Sequence, residues 1–126
     1  MDDTKFTLKE MCAKFDLTPR TLRYYEYLEL IAPEKQGRSR LYGPRECARV
    51  QLIRRGRRFG FSLEELRQWL ELYDEDPLNR LQMEKWIEMS SKQIIELENR
   101  QRELTEVIDE MARLRSETID ALGKLS

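Results

Sequence analysis

The sequence predicts a mainly α-helical fold, in which a small head of short helices and one β-hairpin precedes a single long helix. Three observations predict it. Two short helical patterns lie close together near the N-terminus, and a basic stretch broken by Gly and Pro follows them. Residues 78–122 then repeat apolar side chains at helical spacing without an internal Gly or Pro. We therefore predict a head domain over residues 1–75 and a helical domain over residues 76–126.

Charge is unevenly distributed along the 126-residue chain, although the formal net charge is only −1. Residues 1–61 hold 14 Lys and Arg against 8 Asp and Glu, whereas residues 62–126 hold 9 against 16. A basic first half and an acidic second half indicate a head that binds a polyanion, joined to a solvated helical part.

Composition also excludes several classes of protein. No run approaches 18 consecutive apolar residues, so a membrane span is excluded, and the polar start "MDDTKFTLKE" is unlike a signal peptide. Cys12 and Cys47 are the only cysteines, and the chain has no histidine. We therefore expect a cytoplasmic protein with reduced thiols, no metal site and no cofactor.

The first two helices are predicted from capping signals and apolar spacing. Thr7 and Glu10 form a capping box at the start of the first helix, whose apolar stripe is Leu8, Met11, Cys12 and Phe15. Thr18 and Pro19 suit the N-cap and first position of a second helix over about residues 19–28. Two short helices with so brief a connection indicate a helix-turn-helix, whose second helix enters the DNA major groove.

The second helix has an unusual exposed face. In "RTLRYYEYLEL", the spacing i, i+3, i+4, i+7 places two cations and two aromatic hydroxyls together, namely Arg20, Arg23, Tyr24 and Tyr27. Leu22 and Leu28 are left to face the core. Arginine can donate two hydrogen bonds to guanine, and tyrosine hydroxyls can donate to phosphate, so this face suits DNA.

A β-hairpin is predicted directly after the second helix. Pro33, Gly37 and Gly43 prevent a regular helix, and the alternation in residues 38–42, "RSRLY", suits a strand with outward-facing arginines. A hairpin in this place is the wing of a winged helix-turn-helix. Its arginines would reach the phosphates beside the groove.

Two further helices complete the predicted head. One runs from Pro44 to about Phe59 and closes at Gly60, and the packing positions expected on it are Cys47, Ala48, Leu52, Ile53 and Gly56. Its basic end, "RRGRR", is expected to touch backbone phosphate. The next begins with a capping box at Ser62 and a hydrophobic staple between Phe61 and Leu66, carries Trp69 in the core, and ends at "YDEDP".

The last helix is too long to be covered by its own head. About 45 residues span ~67 Å, whereas a 75-residue head has a radius of gyration of only ~11 Å. The helix must pack on a second copy, fold back on itself as a hairpin, or aggregate. "SS" at residues 90–91 is the weakest point of the stripe, so the hairpin stays open. A coiled-coil homodimer is the economical solution, with contacts at Ile87, Ile94, Leu97, Leu104, Val107, Ile108, Met111 and Leu114.

Three of these motifs resemble a known family in their order and spacing. "TPRTLRYYEYLEL", "SRLYGP" and "IRRGRRFGFSLEELRQWLEL", within residues 6–73, are similar to the MerR family of bacterial transcription regulators. The resemblance implies a winged helix-turn-helix head followed by an antiparallel dimerisation helix. One departure is Ser39, which stands where many members have a wing tyrosine. The residues expected to contact DNA are Thr18, Arg20, Thr21, Arg23, Tyr24, Tyr25, Arg38, Arg40, Tyr42 and Arg57.

The resemblance also implies a mechanism. Relatives bind dyad-symmetric operators in promoters with a long spacer, and effector binding makes the dimer bend and untwist that spacer for RNA polymerase. No Cys or His follows Cys47, so a metal effector is not expected here. The helical region "ELYDEDPLNRLQ" is similar to a branch that controls branched-chain amino-acid or fatty-acid breakdown. An acyl-CoA-type effector near Met83, Trp86 and Ile87 would fit that branch, although these residues would also serve simply to pack the helix on the head.

Two other classes of protein are less consistent with the sequence. An architectural or excisionase-like protein shares the winged helix-turn-helix and bends DNA, but it predicts weak sequence preference. An enzyme is not expected, because the chain has no histidine, no Gly-rich phosphate loop and no recognisable pair of buried carboxylates. The long heptad-like helix favours the regulator, since a pair of fixed half-sites gives specificity.

Overall fold

The computed structural model describes residues 4–75 and 78–125 of the chain. Contacts divide it into two compact units, Met1–Trp86 and Ile87–Ser126. The order of elements is β1 (Phe6–Thr7), α1 (Leu8–Phe15), α2 (Pro19–Tyr27), β2 (Glu34–Gln36), β3 (Ser39–Tyr42), α3 (Pro44–Phe59), α4 (Leu63–Glu75) and α5 (Arg80–Gly123). No helix in the described residues is both long enough and apolar enough to cross a membrane.

The wing is a three-stranded antiparallel sheet with the strand order β1-β3-β2. Lys35 pairs with Arg40 and Gln36 with Ser39, which confirms the predicted hairpin. Gly37 lies at its turn with φ +62°, a left-handed conformation that glycine adopts without strain. The edge strand β1 was not predicted, because two residues are too few to show an alternating pattern.

The helix ends follow the predicted local chemistry. The Thr7 hydroxyl accepts the Glu10 N–H at 3.2 Å and the Glu10 carboxylate accepts the Thr7 N–H at 2.9 Å. Ser62 and Glu65 make the same pair of bonds at 3.1 and 3.2 Å. Gly60 closes α3 with φ 99°. Both capping boxes and the glycine cap are therefore confirmed, and each satisfies backbone groups that a helix end leaves unpaired.

One hydrophobic core joins α1–α4 and the wing. Its buried residues are Met11, Phe15, Leu22, Tyr25, Leu30, Ile31, Tyr42, Val50, Ile53, Phe61, Leu66 and Leu70. On α3, Ile53 and Gly56 are buried as expected, whereas Ala48 is exposed and Val50 is buried instead. A Cβ on Gly56 would lie 2.4 Å from a Leu66 methyl, so glycine allows α3 and α4 to approach closely.

The helix of the second unit is a continuation of α5. α5 is continuous over 44 residues, so the hairpin alternative is not observed. The two serines do not interrupt it, because Ser90 and Ser91 both donate their hydroxyls back to the Ile87 carbonyl, at 3.3 and 2.6 Å. The eight apolar residues predicted for dimerisation are all exposed, by 44–66% of their surface.

Candidate nucleic-acid interface

The exposed face of α2 has the composition that its spacing predicts. Thr18 caps the helix, since its hydroxyl accepts the Thr21 N–H at 3.1 Å, and Pro19 occupies the first turn. Leu22 is fully buried on the opposite side. Arg20 and Arg23 are exposed on the outer face. The two cations and the neighbouring tyrosines are therefore exposed together on one face of the helix.

Tyr24 and Tyr27 form an aromatic platform on this face. Their ring centroids lie 6.5 Å apart with an interplanar angle of 16°, because residues three apart are neighbours on a helix. Tyr24 is 50% exposed and Tyr27 is 81% exposed. Stacked rings with free edges can pack on deoxyribose, while their hydroxyls donate to phosphate.

A basic cavity of about 290 Å³ lies between α1, α2 and the wing. Four cationic side chains line it, namely Lys9, Arg23, Arg38 and Arg40, together with Thr7, Leu8 and Ser39. We name this group the anion cradle. Three separate elements supply its charges, and Thr7 and Leu8 lie at the N-terminus of α1, where the Glu10 carboxylate already accepts the Thr7 N–H. The cradle is suited to a phosphate group.

Lys9 is the member of the anion cradle that sequence reasoning missed. It lies in the first turn of α1, where a lysine alone indicates only a solvated surface. Its closeness to Arg23 and to the wing comes from the packing of α1 against α2 and β3. No periodicity in the sequence reports that packing. The predicted wing residues Arg38 and Arg40 do lie beside Arg23 in the cradle.

Arg40 is held by the recognition helix. Its Nε lies 3.2 and 3.1 Å from the two carboxylate oxygens of Glu26, and the Lys35 ammonium lies 3.8 Å from Glu26. The Glu26 side chain is only 15% exposed, so water screens this ion pair less than a surface pair. The contact ties the wing to α2 and orients Arg40, and a DNA phosphate has to compete with Glu26 for it.

Two tyrosines expected to contact DNA are buried, which contradicts a direct contact of either ring with the duplex. Tyr42 is 0% exposed and Tyr25 is 6% exposed. The Tyr42 hydroxyl is buried with no hydrogen-bond partner among the described residues. Burial, reinforced by the negative charge of Glu26, raises the pKa of Tyr42 to about 12, and burial also raises the pKa of Tyr25. Both rings stabilise the core, since an apolar ring gains more from burial than its single hydroxyl loses.

Replacing Tyr42 by phenylalanine is expected to leave DNA affinity unchanged and to raise the free energy of unfolding by about 1 kcal/mol. The substitution removes a buried hydroxyl that gains no hydrogen bond. The difference in the free energy of unfolding between Y42F and the wild type should increase at alkaline pH. The Tyr42 pKa is raised from 10.0 to about 12 in the folded chain, so the wild type loses stability as the pH rises through this range. Y42F lacks that loss.

The measurements are urea unfolding at neutral and alkaline pH and a DNA-binding titration at neutral pH. Tyr27→Phe is the matched control, because Tyr27 is 81% exposed and the same substitution there removes no buried hydroxyl. Weaker DNA binding by Y42F, with unfolding unchanged, would restore the hydroxyl as a phosphate contact.

The basic end of α3 has a structural as well as an electrostatic role. The Arg57 Nη1 donates to the Phe61 carbonyl at 2.8 Å, which supports the turn into α4. Arg54, Arg55 and Arg58 are exposed around it. The predicted basic surface is therefore present, while Arg57 itself is oriented by the loop that follows the helix.

The apolar cluster suggested for an effector is largely a packing cluster. Trp86 lies 5.8–6.2 Å, between ring centroids, from Phe59, Phe61 and Trp69. The Trp69 indole donates to the Gln82 carbonyl at 3.1 Å, which fixes the first turn of α5 against α4. Met83 is 61% exposed and takes no part in these ring contacts. Within residues 4–75 and 78–125, no group of three or more His, Cys, Asp or Glu side chains is arranged to hold a metal ion.

Family models match most of the chain. A model described as "MerR HTH family regulatory protein" matches residues 6–73, and one described as "MerR, DNA binding" matches residues 47–114. Together they span the anion cradle, the α2 face and most of α5. This agrees with the motifs that the sequence carries.

Known proteins with sequence or fold similarity point the same way. The chain is 32% identical over 111 residues to the HTH-type transcriptional regulator ZntR of Escherichia coli (strain K12), covering 82% of this chain and 79% of ZntR. A MerR family transcriptional regulator from Bacillus cereus shares the fold with a TM-score of 0.71 at 24% identity, over 87% of this chain and 79% of that one.

A regulator whose structure was solved with bound DNA has a similar fold. HiNmlR, a MerR family regulator lacking the sensor domain and bound to promoter DNA, aligns with a TM-score of 0.65 at 17% identity, over 84% of this chain and 80% of that chain. The family models and the ZntR match favour a regulator over an architectural DNA-bending protein. This chain belongs to the MerR family of DNA-binding transcriptional regulators.

Proposed function

We propose that this regulator binds a dyad-symmetric promoter operator as a homodimer. The observation that carries the proposal is the basic surface formed by the α2 face and the anion cradle, to which seven side chains contribute, all exposed except the half-buried Arg40. They are Lys9, Arg20, Arg23, Tyr24, Tyr27, Arg38 and Arg40. A recognition helix flanked by phosphate-binding groups is the arrangement that reads a major groove.

The two arginines of α2 have different surroundings, so we assign them different roles. Arg20 lies in the first turn of α2 and lines no part of the anion cradle, and it is the N-terminal residues of a recognition helix that reach base edges. We assign Arg20 to a base, with guanine the partner that a bidentate guanidinium prefers. Arg23 lines the cradle with Lys9 and the wing, so we assign it to backbone phosphate.

The homodimer is supported by the exposed stripe of α5. Eight apolar side chains repeat along one face and are 44–66% exposed in the single chain. A contiguous apolar surface of this kind marks an interaction site. A second copy of the same helix offers an identical stripe, and a two-fold dimer buries both. The resemblance to the family favours the antiparallel arrangement.

The regulatory mechanism is proposed by analogy with the family. Two heads fixed by one dimer would bend and untwist the promoter spacer and so realign its elements for RNA polymerase in the cytoplasm. Smooth bending of a short site costs on the order of 1–6 kcal/mol, which the phosphate contacts of two anion cradles can offset. Any small-molecule effector would act by favouring the bent complex.

Selection of bound sequences from a random duplex pool tests this proposal. It is performed at a stated salt concentration, because protein–DNA affinity falls steeply as salt rises. We expect a single inverted repeat, with a preferred guanine in each half-site. A pool that is diffuse or only A·T-biased would contradict a sequence-specific dimer, and an operator mapped clear of any promoter would contradict the spacer mechanism.

A further inference from the structure

Glu26 is an acidic residue beside a surface that is suited to an anion. It lies in the last turn of α2, three residues after Arg23, which lines the anion cradle. Its carboxylate is bonded to Arg40, another residue that lines the cradle. A negative charge in this place repels DNA phosphate, so the contacts of Glu26 have to explain what it contributes.

Glu26 compensates two like charges of the wing. Lys35 of β2 pairs with Arg40 of β3, so the two cations are cross-strand neighbours. Like charges directly opposite each other destabilise a hairpin. The Glu26 carboxylate lies 3.8 Å from the Lys35 ammonium and 3.1 Å from Arg40 Nε. It therefore offsets the repulsion between the two cations and holds Arg40 towards α2.

The contact with Glu26 uses only part of the Arg40 guanidinium. Nε donates to Glu26 Oε1 at 3.2 Å, and the remaining N–H donors belong to the two terminal amino groups. Among residues 4–75 and 78–125, none is bonded to these amino groups, and the Arg40 side chain is 31% exposed. A phosphate competes with Glu26 for Nε alone. Arg40 can therefore bind Glu26 through Nε and a phosphate through its terminal amino groups at the same time.

Burial makes the ion pair between Glu26 and Arg40 costly to separate. The Glu26 side chain is 15% exposed, and its Oε2 is buried without a hydrogen bond from any residue that the structure describes. If Arg40 moved away, this charge would be left beside Lys35, whose side chain is 67% exposed. A buried charge without adequate compensation is strongly destabilising, so we expect Arg40 to stay on Glu26 when DNA binds.

We propose that Glu26 is a positioning residue for DNA binding, which holds Arg40 by Nε so that the terminal amino groups of Arg40 bind a DNA phosphate in the anion cradle. The acidic side chain raises DNA affinity, although its own charge opposes the ligand. Arg40 is restrained before DNA binds, so less side-chain entropy is lost in the complex. This inference rests on the proposed function in taking the anion cradle as a phosphate site, but it requires neither the dimer nor an operator.

Glu26→Ala in the full chain tests the proposal, with a labelled duplex of arbitrary sequence as the probe. If charge alone mattered, removing a carboxylate would strengthen binding to a polyanion. We expect the opposite, a loss of affinity of at least about threefold, because a phosphate contact is lost. The slope of log affinity against log salt should also become shallower by ~1 for each protomer. Fluorescence anisotropy over a range of salt concentrations measures both, and unchanged or tighter binding by E26A would overturn the proposal.

Glu29→Ala is the matched control for the change of charge. Glu29 is exposed just beyond the end of α2, so E29A removes one carboxylate and leaves the pair of Glu26 and Arg40 in place. We expect E29A to bind the duplex at least as tightly as the wild type. Circular dichroism shows whether both variants are folded. A loss in E29A equal to that in E26A would contradict a role specific to Glu26.

Arg40→Gln separates positioning from a general effect on the fold. R40Q removes the guanidinium through which Glu26 acts, so it should lose affinity as E26A does, and E26A made in R40Q should cause no further loss. A further loss would mean that Glu26 acts on the fold and not through Arg40, which overturns the proposal. A loss in R40Q with none in E26A overturns the positioning role alone. If R40Q binds as tightly as the wild type, the assignment of Arg40 to phosphate fails as well, and with it that part of the proposed function.

Discussion

Replacing Leu104 and Met111 together by aspartate is expected to convert the proposed dimer into single chains and to abolish operator binding. Both side chains are on the exposed stripe, with 62% and 66% of their surface accessible in one chain. The substitution therefore leaves the protomer intact and acts on the association alone. A dimer would lose four buried side chains worth ~1.5–3 kcal/mol each, so we expect dissociation to be favoured at least ~1,000-fold.

Light scattering after size exclusion measures the mass, and an operator titration measures the DNA affinity. The matched control is Asn99→Asp with Ser116→Asp, which adds the same two charges to α5 outside the stripe. We expect the control to keep the wild-type mass and affinity. Circular dichroism confirms that the head is folded in both variants. A dimer that survives the stripe substitutions would mean that the second copy binds elsewhere.

Replacing Arg20 by alanine is expected to reduce the binding free energy by ~1–3 kcal/mol in each half-site, or by ~2–6 kcal/mol for a dimer bound to its operator. Because we assign Arg20 to a base edge, the substitution should weaken binding to the operator sequence. Affinity for nonspecific DNA should be nearly unchanged. The preferred base at one position of each half-site should relax at the same time.

Lys9→Ala provides the contrasting result. Lys9 lines the anion cradle, so its loss should weaken all duplexes alike. It should also reduce the slope of log affinity against log salt by ~1 for each protomer, or ~2 for the dimer. Selection from random duplexes and salt titrations separate the two variants. If K9A changes base preference while R20A changes only the salt slope, the two assignments are reversed.

Arg67→Ala is the control for a change of charge alone. Arg67 lies on α4, where its guanidinium donates to Glu64 and Glu71 at 3.2 Å. Surface pairs of this kind contribute ~0–1 kcal/mol. Its removal should change neither the operator affinity nor the salt slope. A loss equal to that of K9A would show that net charge, and not the anion cradle, governs binding.

Several elements of the head could be predicted from local sequence alone. The capping boxes at Thr7 and Ser62, the proline at the start of α2 and the glycine that closes α3 involve residues at most four apart. Such short-range contacts are encoded directly in the order of residues. The polar face of α2 follows from helical periodicity in the same way, and its exposure is confirmed for Tyr24 and Tyr27.

Other features escaped prediction because they depend on which elements meet. β1 pairs Phe6 with Tyr42, 36 residues away, and this pairing places Tyr42 in the core. The Glu26–Arg40 ion pair joins the recognition helix to the wing. Arg40 was predicted as an outward phosphate contact, but nothing in its sequence neighbourhood indicates that a carboxylate of α2 orients it.

The sequence by itself determined the helices, the caps, the hairpin, the basic α2 face and the apolar stripe of α5, because each repeats or pairs over a few residues. Tertiary structure alone decided that Tyr25 and Tyr42 are buried and that Lys9 joins Arg23 in the anion cradle. The physical reason is the separation along the chain between the residues that determine each feature. Periodicity shows which side of an element is apolar, whereas the neighbours of that side are selected by long-range packing, which no local pattern encodes.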